Sequence, residues 1–189
     1  AAAGEYLAGA ARGARSAMVV TLGTGVGAGL VVDGALFLGC GGIGPEAGHM
    51  VIHPGGRPCN CGRKGCWERY ASTSALVRRA VRTDPALDSG RAIFAAARQG
   101  DKAVLALLEG WIAEIAEGLA GLVHLFNPQL ILIGGGVSSQ QELLIDPLAR
   151  QVKARVMPAF AEGLELRPAA LANDAGLVGA VRYFLDRRA

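Results

Sequence analysis

The chain has 189 residues, 51% of them hydrophobic and 19% charged, with a formal net charge of +3. That length can bury a substantial core in one domain, and the positive charge is scattered rather than gathered into the basic stripe that nucleic-acid binding calls for. No apolar run reaches the ~18 residues of a membrane-spanning helix, so the hydrophobic excess points to a large buried interface or a partner domain.

Residues 1–11 are Ala-rich and read as a helix entered midway, with no initiator Met and no basic segment leading into an apolar one. Met18–Leu22 is a short apolar, β-branched strand and Gly29–Val32 a second. Between them, Gly23-Thr24-Gly25-Val26-Gly27-Ala28 has the form G-x-G-x-x-A, but a dinucleotide fingerprint needs a helix next, and strand follows here. A glycine hairpin can still hold phosphate if its N–H groups turn inward as an anion nest, with the Thr24 hydroxyl as a further donor. A tight turn without a ligand is the other reading. Asp33-Gly34 predicts a hairpin turn, because both residues tolerate positive φ, and Ala35–Leu38 returns as a third strand. The glycine-rich stretch 39–48 is loop, and its Cys40 reads as a buried free thiol.

His49, Cys59, Cys61 and Cys66 then place one His before a C-x-C-x4-C run, the kind of ligand set that closed, tetrahedral zinc sites use. Glycines at 55, 56, 62 and 65 let a short backbone fold tightly enough for four side chains to meet one ion. Disulfides are the competing reading, yet Cys59 and Cys61 are too close in sequence to pair comfortably, and other pairings leave a reactive thiol beside a bridge. Four protein ligands leave no open position, so the site reads as structural. Such cysteines, without a secretory signal pattern, suggest a reducing cytoplasm. A short strand is expected over Met50–His53. His53 and His124 have no comparable partners and read as structural.

Trp67–Arg82 predicts a helix stopped by Thr83-Asp84-Pro85, and Arg91–Gln99 a short helix ending at Gly100. Asp101 N-caps a long helix whose Val104, Leu108, Trp111, Ile115, Leu119, Leu122 and Phe126 follow 3–4 spacing; Asn127-Pro128 ends it. Leu130–Ile133 is a fully buried strand. Gly134-Gly135-Gly136 follows at its carboxyl end, where α/β sheets bind ligands, although a plain connector is the alternative. A helix over about 139–156 with a break near Pro147, a strand from Leu164 past Pro168 to Leu171, and a last helix Ala175–Leu185 capped by Asn173 or Asp174 complete the order. The basic pairs Arg78-Arg79 and Arg187-Arg188 read as solvated helix faces. No G-x-x-x-x-G-K-[ST] loop occurs. No Asp reads as a general base: Asp33 belongs to a turn, Asp101 and Asp174 to caps, and Asp84 and Asp146 precede prolines.

Glu46-Ala-Gly-His49, followed by Cys59-Asn-Cys61-Gly-Arg-Lys-Gly-Cys66-Trp-Glu68-Arg-Tyr-Ala-Ser72, resembles the signature of the ROK family of bacterial sugar kinases and sugar-responsive repressors. Thr21-Leu-Gly-Thr-Gly-Val-Gly27 resembles the same family's phosphate loop, and the resemblance covers nearly the whole chain. It implies an α/β domain of the actin-like ATPase (ribonuclease H-like) fold, a mixed sheet with three antiparallel strands extended by parallel crossovers and helices on both faces. It also implies that Gly23, Thr24, Gly25 and Gly27 touch the β- and γ-phosphates of ATP, and that Gly134, Gly135 and Gly136 lie on the adenosine side. Glu46, His49 and Glu68 would hydrogen-bond a sugar, with His49 giving one ring nitrogen to Zn2+ and the other to the sugar.

In that family the catalytic Asp precedes a run of small residues and Gly-Glu, which Ala1-Ala-Ala-Gly-Glu5 resembles. Residues 1–189 are therefore expected to be the C-terminal domain of a longer kinase, with the general-base Asp just upstream of Ala1 and no catalytic residue within the chain. Asn173-Asp174-Ala175 resembles the catalytic triplet only superficially, and the last helix, about 174–186, would pack toward the absent domain. The expected activity is phosphorylation of a hexose 6-hydroxyl by ATP with Mg2+, glucose leading, and the isolated chain is expected to be inactive. An N-acetylhexosamine kinase and the effector-binding domain of a ROK-type repressor are the alternatives. The expected assembly is a homo-oligomer, dimer or tetramer.

Overall fold

The computed structural model describes residues 1–186. Strands β1 (Ala17–Leu22), β2 (Val26–Val32) and β3 (Ala35–Leu36) form antiparallel hairpins, and β4 (Leu130–Gly134) and β5 (Glu165–Pro168) add in parallel beyond β1. The order is β3-β2-β1-β4-β5. Asp33 and Gly34 close the β2–β3 hairpin at φ 50° and 77°, the left-handed conformations that a two-residue turn demands.

The central strands are buried on both sides, which explains their continuous apolar runs. Met18, Val20, Leu22, Ile131 and Ile133 face the larger core. Ala17, Val19, Leu130 and Leu132 face a smaller one, which Ala2, Ala11 and Ala14 complete. On the larger side lie α2 (Glu68–Ala71), α3 (Thr73–Ala80), α4 (Gly90–Arg98), the 25-residue α5 (Lys102–Phe126) and α6 (Asp146–Arg155), followed by the short α7 (Pro158–Ala161). On the other side α1 (Ala2–Ala8) packs against α8 (Ala175–Asp186). The Asp101 carboxylate accepts from Ala103 N at 2.9 Å and Val104 N at 3.1 Å to start α5, and left-handed Asn127 ends it. No helix among the described residues is long and apolar enough to cross a membrane.

Several segments depart from expectation, each for a local reason. The helix expected over Trp67–Arg82 breaks at Ser72, whose extended backbone (φ −66°, ψ 154°) lets its hydroxyl cap α3 through Ala75 N at 3.1 Å. Met50–His53 is not a strand; a single bridge pairs Val51 with Cys66. Strand β2 starts at Val26, and β3 pairs only over two residues. Pro147 causes no break: a π-type turn over Gln141–Ile145 runs into α6, where Pro147 occupies the first turn and its missing N–H costs nothing. Strand β5 stops at Pro168, because the Leu171 N–H turns away to the Glu5 carboxylate at 2.7 Å. Glu5 is fully buried and also accepts from Ala10 N at 2.8 Å. Cys40 is exposed in a 3-10 turn over Cys40–Gly42, not buried, because four glycines at 39, 41, 42 and 44 with positive φ hold that loop away from the core. Phe126 and Leu125 are exposed at the end of α5. Asp174 lies in the 3-10 turn leading into α8; the side chain of Asn173 and the pair Arg187-Arg188 lie outside the described residues.

Gly118 in α5 is a glycine of necessity. A Cβ there would overlap the indole of Trp67, which is fully buried and donates from Nε1 to Glu114 O at 2.9 Å. An ordinary Gly→Ala change inside a helix stabilises it by roughly 0.8–1 kcal/mol. Gly118→Ala should instead destabilise the protein by about 1–3 kcal/mol, the cost of overpacking. Urea unfolding followed by Trp fluorescence checks the sign.

Candidate active site

His49, Cys59, Cys61 and Cys66 meet at the end of the loop between β3 and α2, with their donor atoms all within 4.8 Å of one another. His49 Nδ1 is 3.6 Å from Cys59 Sγ, and Cys61 Sγ is 3.6 Å from Cys66 Sγ. Adjacent sulfurs on a tetrahedral zinc with ~2.3 Å bonds lie about 3.8 Å apart, whereas a disulfide needs about 2.0 Å. All four cysteines are free thiols. The donor set and its spacing fit a tetrahedral ion. As a thiol, Cys59 is pushed up to about 12 by burial. Burial also raises Cys66, while the Arg63 backbone N–H holds Cys61 below the usual thiol range.

The folding of this loop follows from its contacts. Gly65 O accepts from Ile52 N and His53 N, and Gly65 N donates to Arg57 O, so residues 52–65 close on themselves. Glu114 of α5 then holds the loop twice, through its carbonyl to Trp67 and through its carboxylate to His53 Nε2 at 2.7 Å. The His53 ring packs on Tyr70 at 4.4 Å, and the Arg57 guanidinium covers the same tyrosine. His124 lies elsewhere, accepting from Met157 N at 3.2 Å and meeting the Phe160 edge.

Glu68 connects the metal-type cluster to the glycine hairpin. Its carboxylate accepts from Cys59 Sγ at 3.2 Å and lies 4.0 Å from His49 Nδ1. A Cβ on Gly25 would sit 2.5 Å from the Glu68 carboxylate. His49 Nε2 faces the other way, 4.0 Å from the exposed Glu46. The structure thus brings Glu46, His49 and Glu68 together beside the hairpin tip.

The hairpin Gly23-Thr24-Gly25 separates two depressions. On one side a cleft of about 570 Å³ is lined by Gly23, Thr24, Thr73, Ser74, Arg78, Asp88, Gly90, Arg91 and Gly136. On the other a groove of about 340 Å³ is lined by Ala1–Ala3, Thr21, Gly27, Phe37, Ile43 and Glu46. Gly134 pairs with Thr21 in the sheet, and a Cβ on Gly135 would overlap Leu22 O, so the two glycine segments lie side by side at one sheet edge. None of Gly23, Gly25 and Gly27 has a positive φ, so an anion nest here would rest on the turn conformation and not on backbone of alternating hand. Gly25 and Gly27 serve close approach, since a Cβ there would meet the Glu68 carboxylate and the Thr21 hydroxyl, whereas one on Gly23 would meet open space. Arg91 and Asp88 went unnoticed in the sequence, and Arg78 read only as a solvated helix face; nothing in their spacing marks them, because the placement of α3 and α4 brings them to one cleft. The remaining Asp side chains noted earlier are engaged: Asp33 with Arg15, Asp84 with Ala86 N, Asp101 at its cap and Asp146 with Gln141.

The ROK family model matches residues 1–187. A glucokinase of Thermotoga maritima is 38% identical, covering 97% of this chain and 62% of that protein. The xylose repressor of Bacillus spizizenii is 31% identical, covering 97% of this chain and 48% of that protein. A ROK family glucokinase from Streptomyces griseus, solved in complex with glucose and AMPPNP, superposes with a TM-score of 0.87 at 35% identity, over 96% of this chain and 64% of that one. The chain therefore spans 62–64% of the length of these two glucokinases.

Any ion held by the four-residue cluster would compete with protons for it. Thiols held above their usual range must lose their protons to coordinate, so Zn2+ affinity should strengthen by more than about tenfold per pH unit between pH 6 and 8. Competition with a chromogenic chelator at three pH values measures it. A pH-independent affinity would show that the thiols are not the ligands.

Proposed function

We propose, since the chain belongs to the ROK family and has the actin-like ATPase fold of its sugar kinases, that it forms the C-terminal domain of an ATP-dependent hexose kinase acting on glucose. The observation that carries this reading is the junction at Glu68, where carboxylates suited to sugar hydroxyls, a four-ligand metal-type cluster and a glycine hairpin meet.

In this reading Glu46, His49 and Glu68 bind sugar hydroxyls, the carboxylates accepting and orienting. His49, Cys59, Cys61 and Cys66 would hold one Zn2+, which when bound cross-links the loop as a structural ion. The ring of His49 fits both tasks, because Nδ1 faces Cys59 and Nε2 faces Glu46. Gly23, Thr24, Gly25 and Gly27 would line the path of the Mg-bound nucleotide's β- and γ-phosphates, with Gly134–Gly136 toward its adenosine. Phosphoryl transfer of this kind rests mainly on positioning and charge. A sugar 6-hydroxyl still needs a base within hydrogen-bond reach, and we assign it to an Asp outside these 189 residues. Ala1–Ala3 line the groove that holds Glu46, so a residue entering there would face the sugar.

A second reading, the effector-binding domain of a sugar-responsive repressor, draws support from the xylose repressor's similarity. ATP consumption by the full-length protein with glucose, N-acetylglucosamine and N-acetylmannosamine separates the two. Glucose should give the highest kcat/KM; no transfer to any sugar would favour the repressor. Glu68→Gln should raise the glucose KM at least about tenfold, since a lost charge-assisted hydrogen bond is worth roughly 1.5–3 kcal/mol, with metal content unchanged. Cys61→Ala should release the metal and loosen residues 40–70, seen as faster hydrogen exchange there.

A further inference from the structure

The cleft beside the glycine hairpin has a charge that the hairpin does not supply. Helix α3 docks on the end of β1, with Thr73 Oγ1 donating to Leu22 O at 3.0 Å and Ser74 N to Gly23 O at 3.3 Å. One helical turn on from Ser74, Arg78 lies on the same face and lines the same cleft as Gly23 and Thr24. The far wall is the start of α4, where a Cβ on Gly90 would touch Val137 at 3.2 Å and Thr73 at 3.4 Å. Of the cleft's charged residues, two are cations, Arg78 and Arg91, and one is the acid Asp88.

Arg78 forms no ion pair among the described residues. Partial burial and the like charges of Arg69 and Arg57 lower its pKa, against the pull of Glu68. A guanidinium crowded by other cations and left without a carboxylate is stabilised by an anion, and its fork matches two phosphate oxygens. The hairpin offers neutral donors only, its backbone N–H groups and the Thr24 hydroxyl. A polyanionic tail against that loop needs a cation nearby, and Arg78 stands one turn from it.

Resting on the reading of this cleft as the nucleotide site, we infer that Arg78 is a positioning residue that holds the phosphate tail of the nucleotide against the Gly23–Thr24 turn. Its reading as a solvated helix face is thereby replaced: it is exposed, but into the cleft. Arg91 stands at the opposite wall, close in sequence to Asp88, the cleft's acid.

Calorimetric titration of the full-length protein with Mg-AMPPNP and, separately, with adenosine tests this. Arg78→Ala should weaken AMPPNP by about tenfold or more while leaving adenosine affinity and the glucose KM unchanged. Arg78→Lys should recover part of the loss, and the salt dependence of AMPPNP binding should flatten in Arg78→Ala. Arg91→Ala should cost less than Arg78→Ala. Equal losses for AMPPNP and adenosine would mean that Arg78 only shapes the cleft, and unchanged AMPPNP affinity that it does not touch phosphate; either overturns the inference while leaving the nucleotide reading intact. Failure of the wild-type protein to bind AMPPNP at all would overturn both.

Discussion

The carboxylate of Glu68 lies where three parts of the molecule meet. It accepts from the buried thiol of Cys59, approaches His49, and fills the space that a side chain at position 25 would need. A charged group so placed, 16% exposed in its side chain, requires partners on several sides. Those partners, Cys59 and His49, come from the four-ligand loop, while the β1–β2 hairpin closes over the carboxylate at Gly25. Displacing any one alters the surroundings of the other two. On the proposed reading, sugar contacts, metal ligands and the phosphate loop thus share one electrostatic junction.

The rigidity of that junction comes from α5 and not from the loop itself. Glu114 anchors both Trp67 and His53, and Gly118 one turn later lets the Trp67 indole lie flat against the helix. Two closures, from Arg57 N to the Tyr70 hydroxyl and from Gly65 N to the Arg57 carbonyl, complete the loop. The hairpin then divides two depressions, one with Arg78 and Arg91, the other with Glu46. A cationic side and an acidic side across a thin glycine turn suit an anionic donor and a hydroxylated acceptor whose reacting atoms must approach closely.

Much of this was legible in residue patterns. The apolar, β-branched run at 18–22 marked a strand and the run at 130–133 a fully buried one, the 3–4 spacing from Val104 to Leu122 marked α5, and C-x-C-x4-C after His49 marked the cluster that the fold assembles. Other features depend on contacts distant in sequence. Ser72 breaks a helix only because its hydroxyl finds Ala75 N and Thr73 finds Leu22 O. Glu5 has nothing in the Ala-rich run around it to signal burial, yet it is buried to take Leu171 N from the far end of the chain. Cys40 looked like a core thiol because cysteines usually are; four left-handed glycines around it hold the loop outside. Arg78 looked solvated because its partner is a cavity, and a sequence pattern carries no information about empty space.

On the proposed reading one junction serves sugar and nucleotide from its two sides. Hydrogen–deuterium exchange on the full-length protein, with glucose and AMPPNP added in turn, tests it most directly. Glucose should slow exchange over residues 46–68 and AMPPNP over 22–27 and 72–78, and each ligand should protect the turn at Gly25. Glucose protection confined to segments outside 46–68, or ligand effects that leave Gly25 and its neighbours untouched, would contradict it.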